Sequence, residues 1–386
     1  MPKKIPFHIP FEHPQILSRT LEWMSTKSID DDAILKDLNE IYSEFHCSER
    51  AYKTYFTQSA TQALEMMALS LNLKNTDEII MPSYTYAATA NAFARTGAKV
   101  IFADIEKETL NISSRTVAPL ITNHTKAIIP IHYGGCAADL QSISRLIEGR
   151  NILLLEDAAH GIGSFYKGKS LGMVGEMGCV SFHHTKNIHA AGAGGVLYVN
   201  RDQEEHINNC DMIYFQGTNR LDYIKGECSK YSWQTLGGEY QMSNYQATYL
   251  LESLKYIRNV TDKRKKFFER YMEALLFHKN KWDAQMSLIE IIEDASINGH
   301  IFPVIMKTLE SRKKLLTLFY ENNIEAVTHY EPLHQSIAGK KYGTTRTTMK
   351  GTVDVHSGLL RLPLYYSMSN EDQDRVIDTL IKFFEF

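Results

Sequence analysis

The 386-residue chain contains no uninterrupted apolar run of about 18 residues, so a membrane-spanning helix is not expected. Its opening, MPKKIPFHIPFEHP, carries two lysines but no apolar core of the kind a secretion signal needs. Neither sign of charge prevails. Lys plus Arg total 42 against 45 Asp plus Glu, a net charge of -3, which gives no general pull toward nucleic acid or an anionic membrane. Any anionic ligand must be held by a local site. Cysteine is scarce: the five residues Cys47, Cys136, Cys179, Cys210 and Cys228 are odd in number, scattered and never spaced as CxxC. That excludes a disulfide framework and fits thiols in a reducing cytoplasm. Internal repeats and low-complexity tracts are also missing. What remains, a chain 44% hydrophobic, is long enough for a large core and suits one large domain with a smaller one appended.

From about residue 55 to 200, short apolar runs rich in β-branched residues alternate with segments of helical period, an α/β rhythm. Strands are expected at EIIMP (78–82), KVIFADI (99–105), AIIPIHY (127–133), ILLLED (152–157), CVSFH (179–183) and GGVLYV (194–199). Several are apolar throughout, as in a sheet covered on both faces. SATQALEMMALSLNL and YAATANAFARTG have helical spacing, the second closing on a C-cap glycine, Gly97. The stretch from Gly237 to Lys279 reads as one long helix. The pattern then changes, which places a boundary near residue 255: residues 1–255 form the large domain and 256–386 a smaller α/β domain. In that part HIFPVIM reads as a strand, and SRKKLLTLFYENN and NEDQDRVIDTLIKFFEF as helices.

Polar residues gather just beyond the strand ends: Ser83 to Tyr86, His132 to Gly135, Asp157 to His160, and His183 to Lys186. In open α/β sheets ligands bind beyond the carboxyl ends of strands, so one cleft can collect all four clusters. No metal is expected there, because His183, His184 and His189 lack the i, i+4 spacing of a helical zinc pair and HExxH is absent. GAGG precedes a strand instead of following one, which removes the dinucleotide reading. Covalent chemistry at a lysine is the third reading. It needs an amine with a lowered pKa, for which Lys186 is the candidate, against the alternative of a solvated loop lysine. Asp157, closing an apolar strand, requires a cation partner such as a protonated pyridine nitrogen, or else caps the following helix. Ser59, Ala60 and Thr61 stand at a helix N-terminus, an anion site or a plain cap, and Ser181 can add a hydroxyl. Tyr86 can stack on a ring, or belong to the core.

EDAAH, SFHHTKN…GAGG, PSYTY and HYGG, in this order and spacing, resemble the pyridoxal-phosphate-dependent sugar-nucleotide aminotransferases of the DegT/DnrJ type. The resemblance runs over nearly the whole chain. It implies the aspartate aminotransferase (type I) fold, with a mostly parallel central sheet in a large domain and a smaller C-terminal α/β domain. More narrowly, DEIIMPSYTYAATANAF, GTNR (217–220), KYSW (230–233) and HYEPLH (329–334) are similar to the subfamily that forms TDP-4-amino-4,6-dideoxygalactose from TDP-4-keto-6-deoxyglucose for enterobacterial common antigen and related surface polysaccharides.

By that resemblance Lys186 matches the lysine that forms a Schiff base with pyridoxal 5'-phosphate and Asp157 the partner of the pyridine nitrogen. Ser59, Ala60, Thr61 and Ser181 match the phosphate site, Tyr86 the stacking aromatic, and His160 a position near the ring oxygen. Asn219, Arg220, His329 and His334 are candidates for the nucleotide-sugar pocket. Glutamate is the implied amino donor, pyridoxamine phosphate the form during turnover, and a cytoplasmic homodimer with shared active sites the implied assembly, with no nucleic acid or membrane partner. Lys186 moves the proton between the donor carbon and the cofactor, and the face of the sugar presented to it sets the epimer. Alternatives are the gluco epimer, another keto-sugar nucleotide, and a non-catalytic cofactor-binding regulator. Three departures stand out. Glu239 occupies a position where many relatives have Asn, and a carboxylate cannot donate to phosphate. STKSIDDDAILKDL replaces a glycine-rich segment, and Ala193 stands in GAGG where relatives carry an acidic residue.

Overall fold

The computed structural model describes residues 3–26, 33–45, 48 and 51–385; the altered stretch STKSIDDDAILKDL lies partly outside them, as does Cys47. Its centre is a sheet of eight strands: β1 (Tyr52–Thr57), β2 (Glu78–Pro82), β3 (Lys99–Ala103), β4 (Thr125–Ile128), β5 (Leu153–Asp157), β6 (Met177–Ser181), β7 (Gly195–Asn200) and β8 (Gly343–Thr345). Their spatial order is β1-β7-β6-β5-β4-β2-β3-β8. Only β7 runs against its neighbours β1 and β6; the other pairings are parallel. Carboxyl ends of the remaining strands therefore meet along one edge, where β7 begins.

Alternation along each strand builds two cores. Phe56, Ile80, Leu154, Val180 and Tyr198 face one side, and Tyr55, Ile79, Met81, Leu155 and Leu197 the other. Both sides are covered, which is why β2, β6 and β7 are buried at every residue. The helix Ala60–Ser70 packs on the second side through Ala63, Leu64 and Met67, and Ala87–Ala94 through Phe93. Gly97 takes φ +89 just beyond that second helix, as its sequence position predicts.

Three local readings change. The run AIIPIHY stops as a regular strand at Ile128, since Pro130 has no N–H to give the ladder; its carbonyl instead accepts from Asp157 N at 3.1 Å. The expected long helix is two helices, Asn244–Leu254 and Ile257–Phe277. Tyr256, at the break, is drawn to the N-terminal segment, its hydroxyl 3.1 Å from His13 Nδ1 and 2.9 Å from Gln15 Oε1. Before the first helix, Tyr240 O and Met242 N bond to Gln58 and Phe56 at the end of β1, so this part is extended. β1 itself, YKTYFT, had no expectation attached to it.

A second sheet joins Met286–Leu288, Phe302–Met306 and Leu359–Leu362 in antiparallel order, flanked by the helices Leu309–Glu321 and Asn370–Phe383. Several segments link it to the rest: β8 adds to the edge of the large sheet, Ile5 bridges to Ile324, and Ala295–Ser296 pairs with Phe165–Tyr166. No helix of the described residues is long and apolar enough to cross a membrane.

The residue before Asp157 anchors the sheet edge. Glu156, fully buried, accepts from His132 Nε2 at 2.9 Å and from the N–H groups of Gly172, Val174 and Gly175 at 2.9, 2.7 and 2.7 Å. His132 Nδ1 accepts from Ala138 N, so Nε2 carries the proton it donates. Glu156→Gln places an amide N–H₂ against donors, and a loss of about 3 to 5 kcal/mol is expected, read as a lower urea midpoint at unchanged slope.

Candidate active site

A cavity of about 490 Å³ opens at the convergent strand ends. Ser59, Ala60, Thr61, Tyr86, Asp157, His160, Ser181, Lys186 and His329 all line it. At one end is the start of the helix Ala60–Ser70. Ser59 caps it, its Oγ accepting from Gln62 N at 3.3 Å. The N–H groups of Ala60 and Thr61 have no carbonyl a turn behind them to bond, and the helix dipole adds positive potential there. Gly195 makes this close approach possible: a Cβ on it would lie 2.4 Å from both Ala60 N and Ser59 C. Its register partners are Thr57 and Ser181, which brings the Ser181 hydroxyl to the same corner. The result is a small, donor-rich cradle suited to a phosphate.

Asp157, 5% exposed, closes β5. Thr89 Oγ1 donates to its Oδ2 at 2.6 Å and Ala159 N to its Oδ1 at 3.0 Å. Among the described residues no Lys, Arg or His nitrogen lies within ion-pair distance of it. The turn-capping role is present in the bond to Ala159, yet the buried carboxyl group faces the cavity with no cation partner.

Lys186 sits in the loop from β6 to β7, where its N–H bonds His183 O at 2.8 Å and His184 N bonds Gly192 O at 2.8 Å. Burial lowers its amine to about 8, against a smaller upward pull from Asp157 and a further lowering by Arg361. The three histidines of this stretch diverge: His183 lines the cavity, His184 is exposed, and His189 turns away to bond Phe11 O at 2.8 Å. His160 Nδ1 accepts from Gly134 N at 3.2 Å, so its Nε2 bears the hydrogen, 3.4 Å from the Tyr330 hydroxyl on the cavity wall. Tyr86 is 64% exposed and forms an open wall, its ring 6.3 Å from Tyr330.

A lysine with a weakened hold on its proton, a cation-seeking carboxylate and an anion cradle thus share one cavity. A sequence model of the DegT/DnrJ/EryC1/StrS aminotransferase family matches residues 35–381. The chain belongs to that family. The aminotransferase is 28% identical over 392 residues to the spore coat polysaccharide biosynthesis protein SpsC of Bacillus subtilis, covering 97% of this chain and 96% of SpsC. The putative sugar aminotransferase Spr1654 of Streptococcus pneumoniae, in its PMP form, superposes with a TM-score of 0.87 at 23% identity, over 99% of this chain and 98% of that one. NtdA of Bacillus subtilis, with bound cofactor PMP, superposes at 0.82 and 26% identity, over 98% and 86%. The fold is that of the pyridoxal-phosphate-dependent aminotransferases, as the resemblance implied.

Three candidate residues of the aminotransferase lie elsewhere. Asn219 and Arg220 do not line the cavity: the segment around them folds on itself, with Asn219 Oδ1 accepting from Ser232 N at 2.8 Å and Thr218 bridging to Trp233, and Arg220 is exposed. His334 stands behind the wall, its Nδ1 2.7 Å from Ser83 Oγ. Glu239 turns its carboxylate to Gln216, while its carbonyl accepts from Gln58 and Gln62. Sequence reasoning passed over Phe7, His8, Thr89, His300, Tyr330 and Arg361, all of which line the cavity. Thr89 and Tyr330 stood unremarked inside the motifs YAATANAF and HYEPLH, and Arg361 is a charge inside the apolar run LLRLPL.

Proposed function

We propose that this aminotransferase moves an amino group from glutamate to C4 of TDP-4-keto-6-deoxyglucose, using pyridoxal phosphate, and that the product is the galacto epimer for surface polysaccharide. The observation that carries the reading is the pairing of Lys186, its amine lowered to about 8, with the unpaired buried carboxylate of Asp157 in one cavity. The chain fits the cofactor: the cradle at Ser59, Ala60, Thr61 and Ser181 suits its phosphate, and Asp157 suits a protonated ring nitrogen. His160 Nε2–H suits its ring oxygen, and Tyr86 offers an open aromatic face. When bound, the cofactor supplies an electron-poor ring that stabilises charge on the carbon losing its proton. Lys186 takes that proton and returns it, and Asp157 holds the proton on the ring nitrogen.

Arg361 is the natural anchor for the donor's carboxylate. Its guanidinium spends one bond on Thr328 O at 3.0 Å and packs 4.7 Å from the Phe7 ring; its buried Nε has no partner, and no carboxylate lies within ion-pair distance among the described residues. Arg361→Met is expected to raise KM for glutamate about 10- to 100-fold with a smaller change for the sugar nucleotide. Equal effects on both substrates would count against the assignment.

A homodimer is part of the proposal. The segment from Tyr223 to Leu236 exposes Tyr223, Ile224, Tyr231, Trp233 and Leu236, with Trp233 at 74%, more apolar surface than a lone subunit usually leaves in one place. The test of the whole reading is incubation with TDP-4-keto-6-deoxyglucose and glutamate, followed by NMR of the amino sugar. A small H3–H4 coupling is expected, and a large one assigns the gluco epimer.

A further inference from the structure

The helix Ile257–Phe277 buries an arginine with no carboxylate. Arg264, 2% exposed, gives Nε to Gly299 O at 3.1 Å and Nη2 to His300 O at 2.6 Å and Leu364 O at 3.0 Å. Among the described residues no ion pair reaches it. A buried cation satisfied only by carbonyls is costly, so its effect on its surroundings needs a use. Two of the groups that feel its charge are His8 and His300, both on the cavity wall.

Their hydrogen bonds decide which ring nitrogen keeps its lone pair. Asn187 gives its Nδ2 to Asn298 O at 2.9 Å, so its Oδ1 is the end that meets His300 Nδ1 at 3.0 Å. An amide oxygen only accepts, which puts the hydrogen of His300 on Nδ1 and leaves Nε2 as an acceptor. His8 Nε2 meets a carbonyl, His184 O, at 3.4 Å, so its hydrogen is on Nε2 and its lone pair on Nδ1. No described group bonds either lone pair. Protonation would turn both into donors. Burial, with Arg264 and the neighbouring charges of His184 and His189, lowers His8 to about 4. Burial, with His160, Lys186, Arg264 and His8, holds His300 well below the usual range.

Lys186 and Arg361 are cations and His160 presents an N–H, groups that suit phosphate, carboxylate and carbonyl oxygen. Of the other charged or ring-nitrogen groups on the wall, Asp157 already accepts from Thr89 and Ala159 and is assigned to the cofactor ring, His183 Nδ1 accepts from Thr185 N, and His329 Nδ1 meets the Tyr133 hydroxyl at 2.6 Å. The two unbonded lone pairs of His8 and His300 are therefore ring acceptors still open to a hydroxyl proton. We propose that His8 Nδ1 and His300 Nε2 form an acceptor wall for hydroxyl groups of the sugar, a second recognition element beside the donor-rich cradle. The proposal rests on the reading that the cavity takes a nucleotide-linked sugar.

The test has two arms. In the purified full-length protein without sugar, long-range ¹H–¹⁵N spectra of the histidines should find His300 as the Nδ1–H form and His8 as the Nε2–H form, both unchanged through neutral pH; the opposite form at His300 overturns the proposal. In calorimetry, His300→Phe should weaken TDP-glucose about tenfold with TDP bound as by the parent, and His300→Gln, whose amide oxygen can accept, should recover most of the loss. Equal weakening of TDP and TDP-glucose, or none, overturns it. Absence of a cofactor band or of amination would remove the aminotransferase reading while leaving the tautomers and the TDP-glucose comparison to stand by themselves.

Discussion

Lys186→Ala is expected to lower amination at least about 10⁴-fold, because one side chain is asked both to hold the cofactor and to carry the proton. The parent mixed with pyridoxal phosphate should turn yellow and bleach when glutamate is added; the variant cannot form the lysine-linked band. A parent that stays colourless with added cofactor would remove the proposed chemistry altogether. The lowered amine adds a pH signature. With a pKa of about 8, roughly a tenth of Lys186 is neutral at pH 7, against under about a thousandth for an ordinary lysine. Capture of pyridoxal phosphate by the cofactor-free protein should therefore quicken about tenfold per pH unit below 8 and level off above it. A rate still climbing through pH 10 would show that the amine is not lowered.

Asp157→Asn is expected to cost about 100- to 1000-fold in turnover, since an amide cannot hold a proton on the ring nitrogen and the stabilisation of charge in the ring is lost. The same change removes a buried carboxylate that has no cation partner, so the cofactor-free variant should be as stable as the parent or more so. Those opposite signs are diagnostic. A purely structural aspartate, valued for its bonds from Thr89 and Ala159, would lower stability and activity together. Thermal unfolding of both cofactor-free proteins, set beside their turnover numbers, separates the cases.

How much of this was legible beforehand differs residue by residue. Asp157, Ser181 and Lys186 could be placed because each stands at or just past an apolar strand, and a strand buried on both faces announces itself through its own residues. Ser59 could be placed because a cap and its helix are neighbours in sequence. The helix break at Tyr256 could not, since it comes from contacts with His13 and Gln15 at the other end of the chain. Nor could the position of Asn219 and Arg220 away from this subunit's own cavity, which depends on how their segment folds back on Trp233.

The amino-acid sequence by itself therefore determined where the central strands lie, and with them the lysine, the carboxylate and the capped helix start, because period, burial and capping act over a few residues. Tertiary structure alone decided what surrounds them. His300 meets Asn187 across 113 residues, and His8 meets His184 across 176. Such meetings are set by the order of strands in the sheet and by the packing of the second sheet against it. No local pattern encodes them, and with them come the unpaired Arg361, the buried Arg264 and the direction in which each histidine offers its lone pair.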